Sequence, residues 1–204
     1  MDTERKDSAV PEKGLLIILS GPSGAGKGTI CKELLKRDTQ LALSVSATTR
    51  AKGPGEVHGK DYYFCTDQEF QEIVDQDGFL EWAEVHGKRY GTLKTDVVGI
   101  LDSGRDCILE IDVQGGIRIK EDVDHSCVLL FVKAPSEEEL ENRITNRNRE
   151  KPEEIKRRML TAQWEMTQED KYQYSVVNAH VEVVVEEVLN IIREERKAHA
   201  STIH

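Results

Sequence analysis

A continuous apolar run, Leu15 to Ser20, passes directly into Gly21-Pro22-Ser23-Gly24-Ala25-Gly26-Lys27-Gly28-Thr29. The run has the length and character of a strand buried on both faces. Beyond the glycines, Ile30, Leu34 and Leu35 recur at helical spacing through Arg37. Strand, glycine-rich turn and helix in that order form a P-loop, with Gly21, four residues, Gly26 and Lys27 in place. The glycines let successive backbone N–H groups turn inward around a phosphate, and the helix adds its positive N-terminus. Lys27 supplies a mobile charge for the outer phosphates. Residues Gly21 to Thr29 are therefore the candidate nucleotide-binding set: Gly21, Pro22, Ser23, Gly24, Ala25, Gly26, Lys27, Gly28 and Thr29.

The alternation recurs downstream. Asp106 to Asp112 reads as a buried strand and Gln114 to Glu121 as a short helix. Cys127 to Val132 is another strand, and Ser136-Glu137-Glu138-Glu139 is a capping box that opens a helix. A last strand is expected over Tyr174 to Val177 and a helix over Val181 to Lys197. Strands alternating with helices predict an α/β P-loop NTPase fold with a doubly wound parallel sheet. Two stretches break the rhythm. Residues 46–92 are polar and turn-rich and hold seven of the eleven aromatic residues, as an inserted unit with its own small core would. Ser136 to Leu160 carries seven acidic and seven basic residues, the composition of a solvated helix pair.

At about 150 residues per domain, 204 residues make one domain with an inserted piece. The expected division is a tail over 1–13 and a domain over 14–200. Its core comprises 14–45, 93–142 and 159–200, with an insertion at 46–92 and a separate charged piece at 143–158. The net charge of -10 argues against a general nucleic-acid or anionic-membrane binder, whose footprint is basic. No apolar run approaches membrane-spanning length, and Met1 to Lys13 holds seven charges instead of a signal-peptide core, so a cytoplasmic location is expected. Cys31, Cys65, Cys107 and Cys127 lie at wide spacings that match no zinc or disulfide framework.

The loop ends Lys27-Gly28-Thr29, without the hydroxyl that usually follows the lysine and touches magnesium. This ending resembles the loop of nucleoside monophosphate kinases. Asp112 closes an apolar strand, where an acid can orient a magnesium-bound water; a strand-end Asp capping the next turn reads equally well. Ser44-Val45-Ser46-Ala47-Thr48-Thr49-Arg50 precedes Gly55-Glu56-Val57-His58-Gly59-Lys60-Asp61-Tyr62-Tyr63-Phe64. Phe79-Leu80-Glu81-Trp82-Ala83, Tyr90-Gly91-Thr92 and Glu110-Ile111-Asp112-Val113-Gln114-Gly115 follow. With the P-loop, these segments resemble the guanylate kinase family over Leu15 to Glu195.

The resemblance implies transfer of the γ-phosphoryl group of MgATP to GMP, and to dGMP, in purine nucleotide metabolism. It implies that Arg50, Tyr62 and Tyr90 hold the GMP phosphate and that Ser46, Glu81 and Thr92 read the guanine, with Glu110 beside them. Arg143, Arg147 and Arg158 would sit on a lid over the triphosphate and, with Lys27, serve catalysis. Magnesium would arrive with ATP. The chemistry concurs, since a carboxylate accepts two parallel bonds from guanine N1–H and its 2-amino group, which adenine cannot offer. One position departs from the family pattern: Gly53 stands where a second phosphate-binding arginine is usual, with Lys52 before it. Two rivals remain. A P-loop kinase for a ribose phosphate would not need the tyrosines, Ser46 and Glu81 together. A non-catalytic peptide-binding module typically has a damaged phosphate loop, whereas Gly26 and Lys27 are intact here.

Overall fold

The computed structural model describes residues 13–85, 87–122, 127–145 and 152–202. A five-stranded sheet contains β1 (Leu16–Ser20), β2 (Leu41–Leu43), β7 (Asp106–Glu110), β8 (Cys127–Lys133) and β9 (Tyr174–Val177). All its pairings are parallel, in the order β2-β7-β1-β8-β9. A four-stranded sheet holds β3 (Ala47–Thr48), β4 (Tyr63–Phe64), β5 (Phe79–Val85) and β6 (Lys88–Leu93), in the order β4-β3-β6-β5. The helices are α1 (Lys27–Arg37), α2 (Asp67–Asp75), α3 (Lys94–Asp102), α4 (Val113–Asp122), α5 (Glu137–Thr145), α6 (Pro152–Met166) and α7 (Val181–Thr202).

The doubly wound α/β expectation holds, and alternation along the strands explains why. Successive side chains of a strand point to opposite faces. Ile17, Leu19, Ile108, Val128 and Leu130 face one layer with Ile30 and Leu34 of α1 and Val184, Val188 and Ile192 of α7. Leu16, Ile18, Cys107, Leu109 and Phe131 face the other, with Val97 of α3 and Val113 and Ile119 of α4. Both faces are thus covered, and β1 and β8 are buried along almost their whole length. Cys107 and Cys127 are buried with them, as their places in apolar runs suggested, and burial pushes the Cys107 thiol up to about 12. The smaller sheet has a separate core in which Ala47, Phe70 and Phe79 are buried.

The sheet order decides where a ligand can sit. From β1 the chain crosses by α1 to β2 beyond β7, whereas from β7 it crosses by α4 to β8 on the other side of β1. The crevice opens outside the carboxyl ends of β1 and β7, where the order reverses. Leu19 pairs with Glu110, so the exit of β7 lies beside the exit of β1.

Ser136 accepts the N–H of Glu139 at 3.1 Å, as a capping box requires, but the Glu139 carboxylate bonds Arg143 Nε at 2.8 Å. The Glu half of the box is therefore directed at an arginine one turn along the helix. A full box forms instead at Thr66, which opens α2 with Glu69. Arg147 and Arg149 lie outside the described residues.

Candidate active site

Gly26 stands at the N-cap of α1 with φ +90°, a left-handed conformation that L side chains rarely adopt. Asn178 locks this turn from β9's end, donating from Nδ2 to Ala25 O at 2.8 Å. Nothing local in the sequence marks Asn178, which is 153 residues distant from Ala25. Lys27 donates from Nζ to the carbonyls of Gly21 and Pro22, the second at 3.2 Å. Its ammonium is thereby held at the rim of the loop.

The missing hydroxyl at Gly28 has a structural counterpart. A Cβ at Gly28 would lie 3.2 Å from Oε1 and 3.4 Å from Oε2 of Glu110. The Glu110 carboxylate thus stands against the P-loop. Asp112, two residues later, faces elsewhere. Its Oδ1 accepts the N–H of Gly115 at 3.0 Å, which caps the first turn of α4. A Cβ at Gly115 would meet Glu81 Oε2 at 2.7 Å and Asp112 Oδ1 at 3.1 Å, so Asp112 and Glu81 are neighbours across that glycine. Of the two readings of Asp112, capping is what its hydrogen bond performs.

Glu81 projects from β5 and is buried, with Oε1 accepting the Thr92 hydroxyl at 2.7 Å. Burial pushes its carboxyl up to about 7; the Thr92 bond opposes the rise, and Asp112 adds to it. A buried carboxyl with one oxygen committed to a hydroxyl leaves its other oxygen directed at Gly115 and the cleft.

Arg50 follows β3. Its guanidinium donates Nη1 and Nη2 to Glu56 at 3.0 and 2.6 Å, and Nη1 also to Ala51 O at 2.9 Å. These bonds use the end of the fork and leave the Nε/Nη2 edge turned elsewhere, the other bidentate face of an arginine. Glu56 also accepts the Gly53 N–H at 2.6 Å. A side chain at Gly53 would meet that carboxylate first, its Cβ 2.9 Å from Glu56 Oε2. The Arg50 guanidinium lies 5.1 Å from the centroid of Tyr62, whose ring stands edge-on to Tyr90 at 6.0 Å. Burial raises the Tyr62 phenol above its usual range, which keeps it a neutral donor.

These groups converge. Ser23, Lys27, Ser46, Arg50, Tyr62, Glu81, Tyr90, Glu110, Asp112 and Arg158 all line one cleft of ≈ 630 Å³. Arg158 on α6 is 8% exposed and donates to Ser23 Oγ at 2.6 Å. Arg143 does not line the cleft; it donates Nη2 to Asn178 O at 3.0 Å, beside the P-loop. A residue that the sequence reading passed over, Glu165, lines the cleft and accepts the Ser23 N–H at 3.3 Å. Among the described residues, no group of three or more His, Cys, Asp or Glu side chains is placed to hold a metal ion. Nor does any described helix have the length and apolarity to cross a membrane.

Residues 13–195 match the sequence profile of guanylate kinase. The chain belongs to the guanylate kinase family. It is 46% identical to the guanylate kinase of Caldanaerobacter subterraneus subsp. tengcongensis, over 92% of this chain and 91% of that one. Identity to the guanylate kinase of Clostridium tetani is 47%, over 91% of this chain and 88% of the relative. The crystal structure of guanylate kinase from Anaplasma phagocytophilum superposes with a TM-score of 0.76 at 32% identity, covering 91% of this chain and 88% of that one. Family membership accounts for the pairing of an intact phosphate loop with an aromatic, carboxylate-bearing insertion. The intact Gly26 and Lys27, with relatives that are guanylate kinases over about nine-tenths of both chains, favour the kinase over the peptide-binding and ribose-phosphate readings.

Proposed function

We propose that the chain transfers the γ-phosphoryl group of MgATP to GMP, giving ADP and GDP, and that it accepts dGMP as well. One observation carries the reading: a buried carboxylate, Glu81, and the phosphate-loop lysine, Lys27, line the same cleft as Arg50, Tyr62 and Tyr90. A base-reading acid, a set of phosphate donors and a triphosphate loop in one cleft are what a nucleoside monophosphate facing ATP demands.

In this reading residues 46–92 form the GMP-binding insertion and 143–158 the lid, around the core segments 14–45, 93–142 and 159–200. Gly21 to Thr29 hold ATP. Glu81 accepts from guanine N1–H and the 2-amino group with its two oxygens, one of which Thr92 also holds, and Ser46 completes the base site. Arg50 offers its Nε/Nη2 edge to the GMP phosphate, with the phenols of Tyr62 and Tyr90 as neutral donors. No assigned group addresses the sugar 2′ position, which is why dGMP fits the same site.

Magnesium enters as part of the substrate. The donor set fits that role, because Gly28 offers no hydroxyl and Asp112 is engaged by Gly115. Asp112, which lines the cleft, would receive water bound to the metal, with Glu110, against Gly28, at the acceptor edge. Bound magnesium neutralises charge on the β- and γ-phosphates.

The phosphate of GMP has a second pKa of ~6 and is already anionic at neutral pH, so no general base is needed. What remains is to bring two anions together in line and exclude water. Lys27, Arg143, Arg147 and Arg158 supply the cations, and closure of the lid excludes water. A coupled ADP-release assay with MgATP tests the reading. Rapid turnover is expected with GMP and dGMP and background turnover with AMP, CMP and UMP; equal turnover with any of the last three contradicts it.

A further inference from the structure

Glu165 lies on α6 two helical turns beyond Arg158, so both side chains project from one face. Both are buried, at 6% and 8% exposure, and both reach Ser23. Arg158 donates to the Ser23 hydroxyl at 2.6 Å, and Glu165 accepts the Ser23 backbone N–H at 3.3 Å. The Glu165 carboxylate also lies close to the backbone N–H of Val113, the first residue of α4, whose dipole favours its charged form. A buried carboxylate is costly unless it is hydrogen-bonded, so these partners account for its place. They belong to two different parts of the cleft. Ser23 is in the loop that grips ATP, and Val113 directly follows Asp112 at the base side.

We propose that Glu165 is a positioning residue that ties the phosphate loop to the start of α4 and so sets the distance between the ATP site and the GMP site. The proposal rests on the phosphoryl-transfer reading above. In-line transfer is sensitive to separation, and a 1 Å misplacement can cost about 10²-fold in rate. Each site by itself contains its own ligand groups; only their spacing depends on the bridge. Glu165 also carries the root of the lid, because the same helix face presents Arg158 to Ser23. Burial pushes the carboxyl up to about 7, and Lys27 and the two N–H donors oppose that rise. The charged form is the one that both N–H groups favour.

The test is Glu165→Gln in the full chain. Its amide keeps one acceptor oxygen and turns a donor toward the other N–H, so one tie is lost. A fall in kcat of tenfold or more is expected with MgATP and GMP, while calorimetric binding of GMP alone stays within about twofold of wild type. Glu165→Asp keeps the charge and both oxygens but withdraws them by one methylene. It is expected to unfold closer to wild type than the Gln variant while showing the same split between kcat and GMP binding. A folded variant with kcat within twofold of wild type would overturn the proposal. So would loss of GMP binding in step with kcat, or loss of the folded state in both variants. Wild-type turnover with GMP tests the underlying reading separately: if it fails, that reading fails, whereas normal wild-type turnover with unaffected variants defeats only the role of Glu165.

Discussion

Glu81 stands directly opposite Thr92 because the β5–β6 hairpin slips by one residue between Phe79 and Glu81. Phe79 pairs with Leu93, yet Glu81, not Leu80, pairs with Thr92, and the register then continues as Trp82 with Gly91 and Ala83 with Tyr90. Without the bulge, Leu80 would face Thr92 and the carboxylate would fall opposite Gly91. One extra residue re-aims a side chain in this way, and bulges recur beside active sites for that reason. The resulting 2.7 Å bond orients the Glu81 carboxylate and leaves lone pairs on both oxygens for a ligand.

Glu81→Gln is expected to reduce kcat/KM for GMP by at least ~30-fold, the ~2 kcal/mol typical of a charged hydrogen bond in a buried site. Thr92 can still donate to the amide oxygen, which turns the amide NH2 toward the guanine donors. The wild-type carboxyl is raised from 4.5 to about 7, so GMP activity should decline as pH falls through 7. GMP's phosphate and Glu165 titrate nearby, and the difference between the wild-type and Gln profiles isolates Glu81. Stability runs the opposite way. A carboxyl raised in the folded state stabilises below its unfolded value and loses that contribution as pH rises through the folded one. Between about 4.5 and 7 the wild type should therefore lose stability relative to Glu81→Gln, which thermal unfolding at pH 5 and pH 8 will show.

Gly115→Ala should act on the acceptor alone. The new methyl would lie 2.7 Å from Glu81 Oε2 and 3.1 Å from Asp112 Oδ1. Both are ends of flexible side chains, so they can move at modest cost, but the base reader leaves its place. A rise in KM for GMP of ~10-fold or more is expected, as for loss of one charged hydrogen bond, with KM for ATP nearly unchanged. Steady-state kinetics with each substrate varied in turn checks the split.

Glu56→Gln should weaken GMP binding without touching a group assigned to GMP. Glu56 holds the end of the Arg50 fork and the Gly53 N–H together. Neutralising it frees the guanidinium to rotate, and the bidentate edge is no longer presented. KM for GMP should rise ~5- to 10-fold, within the range for one charge-assisted bond. Gly53→Arg would place a second cation against this same carboxylate, so its effect on KM for GMP measures how far Glu56 is already saturated.

Most strands of the larger sheet are legible because burial on both faces writes long apolar runs, whereas the three-residue β2 and the helix α3 leave no such run. Leu15 to Ser20 and Cys127 to Val132 are examples, and β9 and the start of α7 fall where expected. Short and half-buried elements left weaker traces. The strands β3 and β4 have two residues each, too few for a period. Only α2 had an overlooked signal: Thr66-Asp67-Gln68-Glu69 has the same capping pattern that was noticed at Ser136. Ten of the candidate residues could be gathered from motifs, but their pairings could not. The bond of Arg50 to Glu56 is local, whereas the Ser23–Glu165 contact spans 142 residues and the Ala25–Asn178 contact 153. The different neighbours of Glu110 and Asp112, Gly28 for one and Gly115 for the other, depend on where the strand ends and α4 begins.

Lys27→Ala should remove turnover by at least ~10²-fold, the scale of one preorganised group at developing charge, and leave the fold intact. Its ammonium bonds the carbonyls of Gly21 and Pro22 within the loop. Thermal unfolding within a few degrees of wild type, beside the lost turnover, is the expected pair of results.

The central claim is that a buried carboxylate reads guanine through two donors, N1–H and the 2-amino group. Specificity constants for GMP, IMP and AMP at saturating MgATP test it most directly, because IMP keeps N1–H and lacks the amino group while AMP lacks both. The account expects IMP to fall ~10- to 100-fold below GMP for one lost bond to a charged group, and AMP to fall to as little as ~10⁻⁴ of it. IMP equal to GMP, or AMP equal to IMP, would contradict it.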